Sequence, residues 1–102
     1  MGFLQDLFLI MPCTPRDKPE VVKLVDELVE IGRVDDFLSE RPGLPFNSQC
    51  RHVQARKIGT RLNEIGGLEL MEYAHKKIQR RLSKNLADHL DYAWSGIGQW
   101  LA

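Results

Sequence analysis

Leu62-Asn63-Glu64-Ile65-Gly66-Gly67-Leu68 decides how this chain is read, because it sets an apolar helical stripe directly against two glycines. Ala55 and Ile58 carry the stripe backwards at helical spacing, and Ser48 is the expected cap at its start. Glycine accepts the left-handed conformation that closes a helix, so this helix is expected to end at Gly66-Gly67. A further helix follows almost at once, with Leu68, Met71, Ala74, Ile78 and Leu82 on one face and Lys76, Lys77, Arg80 and Arg81 largely outside it.

The same pattern recurs on both sides. A shift of 34 residues lays Leu28-Val29-Glu30-Ile31-Gly32 on Leu62-Asn63-Glu64-Ile65-Gly66, and a further shift of 32 brings Leu90, Trp94, Ile97, Gly98 and Trp100 into the frame. Gly32, Gly66 and Gly98 are therefore expected to be equivalent helix ends. The first of these helices starts at Asp17, with Glu20 in a capping-box position and Pro19 in a first turn that tolerates it. Val21, Leu24, Val25, Leu28 and Ile31 form its buried stripe. Val34, Phe37 and Leu38 suggest a short helix directly after, halted by Arg41-Pro42-Gly43-Leu44-Pro45. The last helix is expected to present Leu86, Leu90, Ala93, Trp94, Ile97 and Leu101, and Phe3, Leu4, Leu7, Phe8 and Met11 mark a short helix that Pro12 ends.

With Ala55 before it and Leu68 and Met71 after it, the Leu62 to Gly66 segment resembles the helix-end signature of HEAT-like α-helical repeats. The resemblance covers about residues 18–40 and 55–82. It implies stacked helical hairpins and a protein-binding surface, and it implies no reaction. The expected fold class is all-α: a compact bundle or short α-solenoid of about five to six helices. It forms one domain over residues 1–102, with residues 1–16 as an N-terminal arm or short helix.

Composition narrows the function classes. The 102 residues carry 14 basic and 14 acidic side chains, so no overall field draws the chain to nucleic acid or an anionic membrane. The charges are unevenly placed: residues 1–47 hold nine acids and five bases, whereas residues 48–84 hold three acids and nine bases. Two cysteines, Cys13 and Cys50, form no C-x-x-C pair and are expected to be free thiols in a reducing cytoplasm. Phe3–Met11 is too short and too interrupted for a membrane span, and Asp6 stands where a myristoylation signal requires Ser or Thr. A cytoplasmic location without membrane contact is the expectation.

Motifs for chemistry are sparse. Cys50-x-His52 lacks the spacing of two zinc ligands on one helical face, and there is no phosphate loop, nucleophile elbow or H-E-x-x-H. Neither a metal nor a cofactor is expected. His75 lies on the core face between Met71 and Ile78 and is the one candidate for acid–base work, in a cleft. Arg51, Arg56, Lys57, Arg61, Lys76, Lys77, Arg80, Arg81 and Lys84 lie on two adjacent helices and would form a basic surface if they shared a side. One of Trp94 and Trp100 is expected to anchor the core and the other, Trp100, to lie at an interface. The leading expectation is a helical interaction or scaffold module without catalytic activity that binds a protein partner or itself as a homodimer. The alternatives are a nucleic-acid-associated accessory protein using helices 51–84 and a small enzyme or ligand binder with His75 in a cleft.

Overall fold

A computed structural model describes residues 11–41 and 50–100. Helix α1, Lys18–Val34, begins after Asp17 with Pro19 in its first turn, where a missing N–H leaves no bond unmade. The expected capping box does not form. The Thr14 hydroxyl donates to Asp17 Oδ2 at 2.9 Å instead, and Glu20 turns away to another helix. Val21, Val25, Leu28 and Ile31 are buried as the spacing requires, with Leu24 half-buried beside them. Past Val34 the expected short helix is a turn. Asp36 Oδ1 accepts the Leu38 N–H at 3.0 Å, and the Asp36 carbonyl accepts the Ser39 N–H at 3.2 Å, so a short acidic side chain outcompetes the helical ladder. Phe37 still reaches the core.

Helix α2, Arg51–Arg81, holds the two expected helical stretches, joined without a loop across a kink at Gly67. Its cap is Cys50, whose Sγ accepts the Val53 N–H at 3.5 Å; Ser48 lies outside the described residues. Gly67 takes φ 67° and ψ −157°, a conformation favouring glycine, yet the helix resumes immediately. Gly66-Gly67 therefore divides the element into two helical stretches that meet at a kink, the end and immediate restart expected of the two glycines. The shared glycine register holds only at Gly66, beside the Gly67 break; Gly32 lies inside α1 under Leu82 and Phe37, and Gly98 sits in a turn with φ 55°.

Helix α3, Lys84–Ala93, is capped by Ser83, whose Oγ accepts the Leu86 N–H at 3.1 Å. It stops eight residues before Leu101, because Gly96 and Gly98 have φ 84° and 55° and the Gly96 N–H bonds the Trp100 carbonyl at 3.1 Å. Three helices among the described residues thus replace the expected five to six; the expected helix over Phe3–Met11 falls almost wholly outside them.

Both α1 and α3 pack on α2. Leaving the helix lets both tryptophans turn inward, although only one was expected to anchor the core. Trp94 is fully buried and Trp100 is 6 % exposed, their rings meeting edge to face at 5.1 Å and 84°. Trp94 lies on Gly59 of α2, where an added Cβ would fall 2.6 Å from its Cδ1, and its Nε1 donates to the Ala55 carbonyl at 2.9 Å. Gly59→Ala is expected to destabilise the fold by about 2 kcal/mol in urea unfolding, despite the gain of ~1 kcal/mol that alanine brings to a helix interior. An unchanged or raised midpoint would place the indole elsewhere.

Candidate functional site

The nine bases of residues 48–84 do not share one open side. Arg56 reaches toward α3, where Nη1 donates to the carbonyls of Ala93 at 2.7 Å and Ser95 at 3.0 Å, satisfying acceptors that a helix C-terminus leaves open. Arg61 faces α1 and binds Glu20 twice, at 2.6 and 2.9 Å, with Glu64 at 3.4 Å. Arg81 approaches Asp26 of α1 at 3.5 Å. Lys84 pairs with Asp88 at 3.5 Å, and the Lys77 ammonium lies 5.8 Å from the Tyr73 ring centre. Lys57 and Arg80 also have interactions within the fold, and Lys76 is exposed. The acidic N-terminal half thus meets the basic helix inside the domain. The Arg61 hydrogen bond, helped by the charges of Arg61 and Lys23, holds the Glu20 carboxyl below its ordinary range against the desolvation that opposes it.

His75 ties helices together. Its Nε2 stands 2.9 Å from the Ala87 carbonyl and 3.0 Å from Asp91 Oδ1, two acceptors that require the proton on that nitrogen, and its ring lies 5.4 Å from Trp100. His89 of α3 makes the matching link to the turn after α1, with Nδ1 2.7 Å from Asp36 Oδ2. Both histidines therefore hold α3 in place. Trp100, expected at an interface, instead has its area buried against His75 and Trp94.

A third tie lies at the start of α2. Arg51 is 8 % exposed, and its Nε lies 2.9 Å from Asp35 Oδ2, a charge contact rather than an aligned hydrogen bond, while its Nη1 has no hydrogen-bond partner. Asp35 also accepts from Arg41 at 2.7 Å and Ser39 at 3.1 Å. Desolvation pushes the Asp35 carboxyl up, but those hydrogen bonds and the charges of Arg41 and Arg51 outweigh it and set it below its ordinary value. Neither cysteine is bonded to the other. Burial, reinforced by Asp17 and opposed by Lys18, raises the Cys13 thiol and disfavours its thiolate. Among the described residues no three His, Cys, Asp or Glu side chains gather as metal ligands would, and no helix is long and apolar enough to cross a membrane.

What remains is a groove between α1 and α2. Met11, Val22, Val25 and Tyr73 form its apolar wall, with Asp26, Lys77 and Arg81 at the rim, around about 100 Å³. That volume is well below the roughly 300–1,000 Å³ of small-molecule sites. It suits one inserted side chain, not a substrate. His75 does not line it. The sequence stripe Val21, Leu24, Val25, Leu28 and Ile31 leaves this feature out, because Val22 stands off it. Its signal was an apolar residue beside Val21, and Val22 is indeed 47 % exposed.

No protein-family model, curated protein or solved structure matches this chain.

Asp35→Asn removes the charge facing Arg51 while keeping side-chain size. A loss of about 3 kcal/mol near pH 7 is expected, since an unpaired buried guanidinium is left behind. Asp35 has a lowered folded-state value, so its contribution is present above the ordinary carboxylate range and is lost as pH falls through that lower value. The gap between wild type and variant should therefore narrow in urea titrations below about pH 4. A gap that stays constant to pH 2 would contradict the assignment.

Proposed function

We propose that this chain is a helical interaction module that presents the α1–α2 groove to an apolar side chain of a protein partner or a second copy, and that it performs no chemistry of its own. The observation that carries the reading is the groove itself, an apolar wall of Met11, Val22, Val25 and Tyr73 under a charged rim. A single protruding Leu, Met or Phe in a socket of this size is how one helix or loop anchors on another.

The placement of the reactive side chains supports it. His75, His89, Arg56 and Arg61 each bond a neighbouring element, so the groups that an active site would use are engaged in holding helices together. Nucleic-acid contact through helix α2 has less support, because Arg56, Arg61 and Arg81 point to two different neighbours and meet carbonyls or carboxylates there.

Affinity capture on the tagged chain tests this reading, run with and without nuclease and repeated with Val22→Asp, which puts a charge on the exposed edge of the groove. Protein partners retained through nuclease treatment and lost, by tenfold or more, with Val22→Asp are expected. Partners that disappear with nuclease, or that bind the variant equally, would remove the groove from the account. Light scattering on the same samples separates the two kinds of partner: a mass near twice 11.7 kDa identifies the second copy.

A further inference from the structure

Tyr92 is the most exposed large apolar side chain among the described residues, at 70 %, while Trp94 and Trp100 close to it in sequence are buried. A ring so exposed contributes little to the fold it belongs to. It stands on α3 in line with Lys84 and Asp88 at successive turns, and those two hold each other only by an exposed contact at 3.5 Å. The helix thus carries an aromatic ring in water with a carboxylate one turn away. The α1–α2 groove has the complementary chemistry. Tyr73 and Met11 line it, an aromatic ring and a thioether that both favour a ring as neighbour, with Val22 and Val25 beside them. Its volume of about 100 Å³ takes one ring and no second side chain. Lys77 and Arg81 follow Tyr73 at successive turns of α2, and Asp26, the one acid of the rim, already faces Arg81. A carboxylate one turn from an entering ring therefore meets an excess of positive charge.

We propose that a second copy of this chain inserts Tyr92 into the α1–α2 groove, with its Asp88 set against Lys77 and Arg81. The inference rests on the groove being a docking face and names its occupant. Tyrosine suits the task, because its apolar ring fills the groove while its hydroxyl stays at the open mouth in water. Among the five large apolar side chains exposed in the described residues, only Tyr92 is aromatic, and Val22 is itself part of the groove. A contact between two different surfaces is heterologous, so a chain joined through its groove keeps its own Tyr92 for a further copy. An interface of one ring and its flanking charges is small, and association through it is weak and depends on concentration.

Analytical ultracentrifugation of the full-length chain from about 10 μM to 1 mM, the range of a small interface, tests it. The mass of the wild type is expected to rise with concentration from 11.7 kDa to twice that or more. Tyr92→Asp removes the ring and Val22→Asp charges the groove; both sites are exposed, so urea midpoints should stay at the wild-type value while self-association weakens at least tenfold in each. Asp88→Lys should weaken it several-fold. An equimolar mixture of Tyr92→Asp and Val22→Asp decides the pairing, because each supplies the half that the other lacks. A 1:1 complex that stops at two chains is expected. A wild type that stays at 11.7 kDa throughout, a Tyr92→Asp chain that still associates, or a mixture that stays monomeric overturns the proposal. A monomeric wild type whose captured partner is nevertheless lost with Val22→Asp leaves the docking face standing and removes this occupant alone. Self-association that is lost with Tyr92→Asp but kept with Val22→Asp removes the groove as well.

Discussion

The indole of Trp94 against Gly59 is the contact on which the rest of the arrangement depends. A helix without a side chain at one position offers a flat patch of backbone, and a full tryptophan fills it only if its N–H finds an acceptor. The Ala55 carbonyl supplies that acceptor at 2.9 Å, four residues before Gly59 on the same side of α2. Once Trp94 is there, Arg56 on the same helix reaches the carbonyls that end α3, and Trp100 folds back onto Trp94 and His75. One missing Cβ thereby organises the whole C-terminal third. The mirror arrangement on the other side of α2 is electrostatic, with Glu20 and Asp26 of α1 set against Arg61 and Arg81. Those pairs are solvent-exposed and contribute little stability, but they fix which face of α1 meets α2.

This division draws the reactive residues into structure. Histidines and arginines that the sequence offers for chemistry are drawn into ties between elements, where each removes an unsatisfied group or a lone charge. The surface left unused is apolar, narrow and rimmed with charge. Such a surface suits recognition of a protruding side chain.

Much of the helix content was legible, and the reasons it was partly misread are physical. The stripe Val21, Val25, Leu28 and Ile31 is buried as its spacing requires, and Ser83 marks the start of α3. Periodicity, however, reports burial rather than hydrogen bonding. Trp94, Ile97 and Trp100 keep a helical spacing through a segment of turns, because turns closed by Gly96 and Gly98 also return the chain inward every three residues. Glycine was the other ambiguous signal. Gly66-Gly67 breaks α2 into two stretches as expected, but Gly32 and Gly59 are places where Leu82, Phe37 or Trp94 comes close, and Gly98 sits against Asn63. Close approach and helix termination use the same residue, and only the tertiary partner tells them apart. The groove was illegible for a related reason: Val22 and Tyr73 are distant in sequence, and their meeting follows from how α1 lies on α2.

Exchange of the Trp94 indole N–H, followed by NMR across a urea series, tests most directly whether this contact locks the fold. If Trp94 on Gly59 is the keystone, that proton exchanges only when the whole chain unfolds, with the free energy and denaturant dependence of global unfolding. Rapid exchange with a shallow urea dependence, while amides in the centre of α2 stay protected, would show that the C-terminal third opens on its own and would contradict the account.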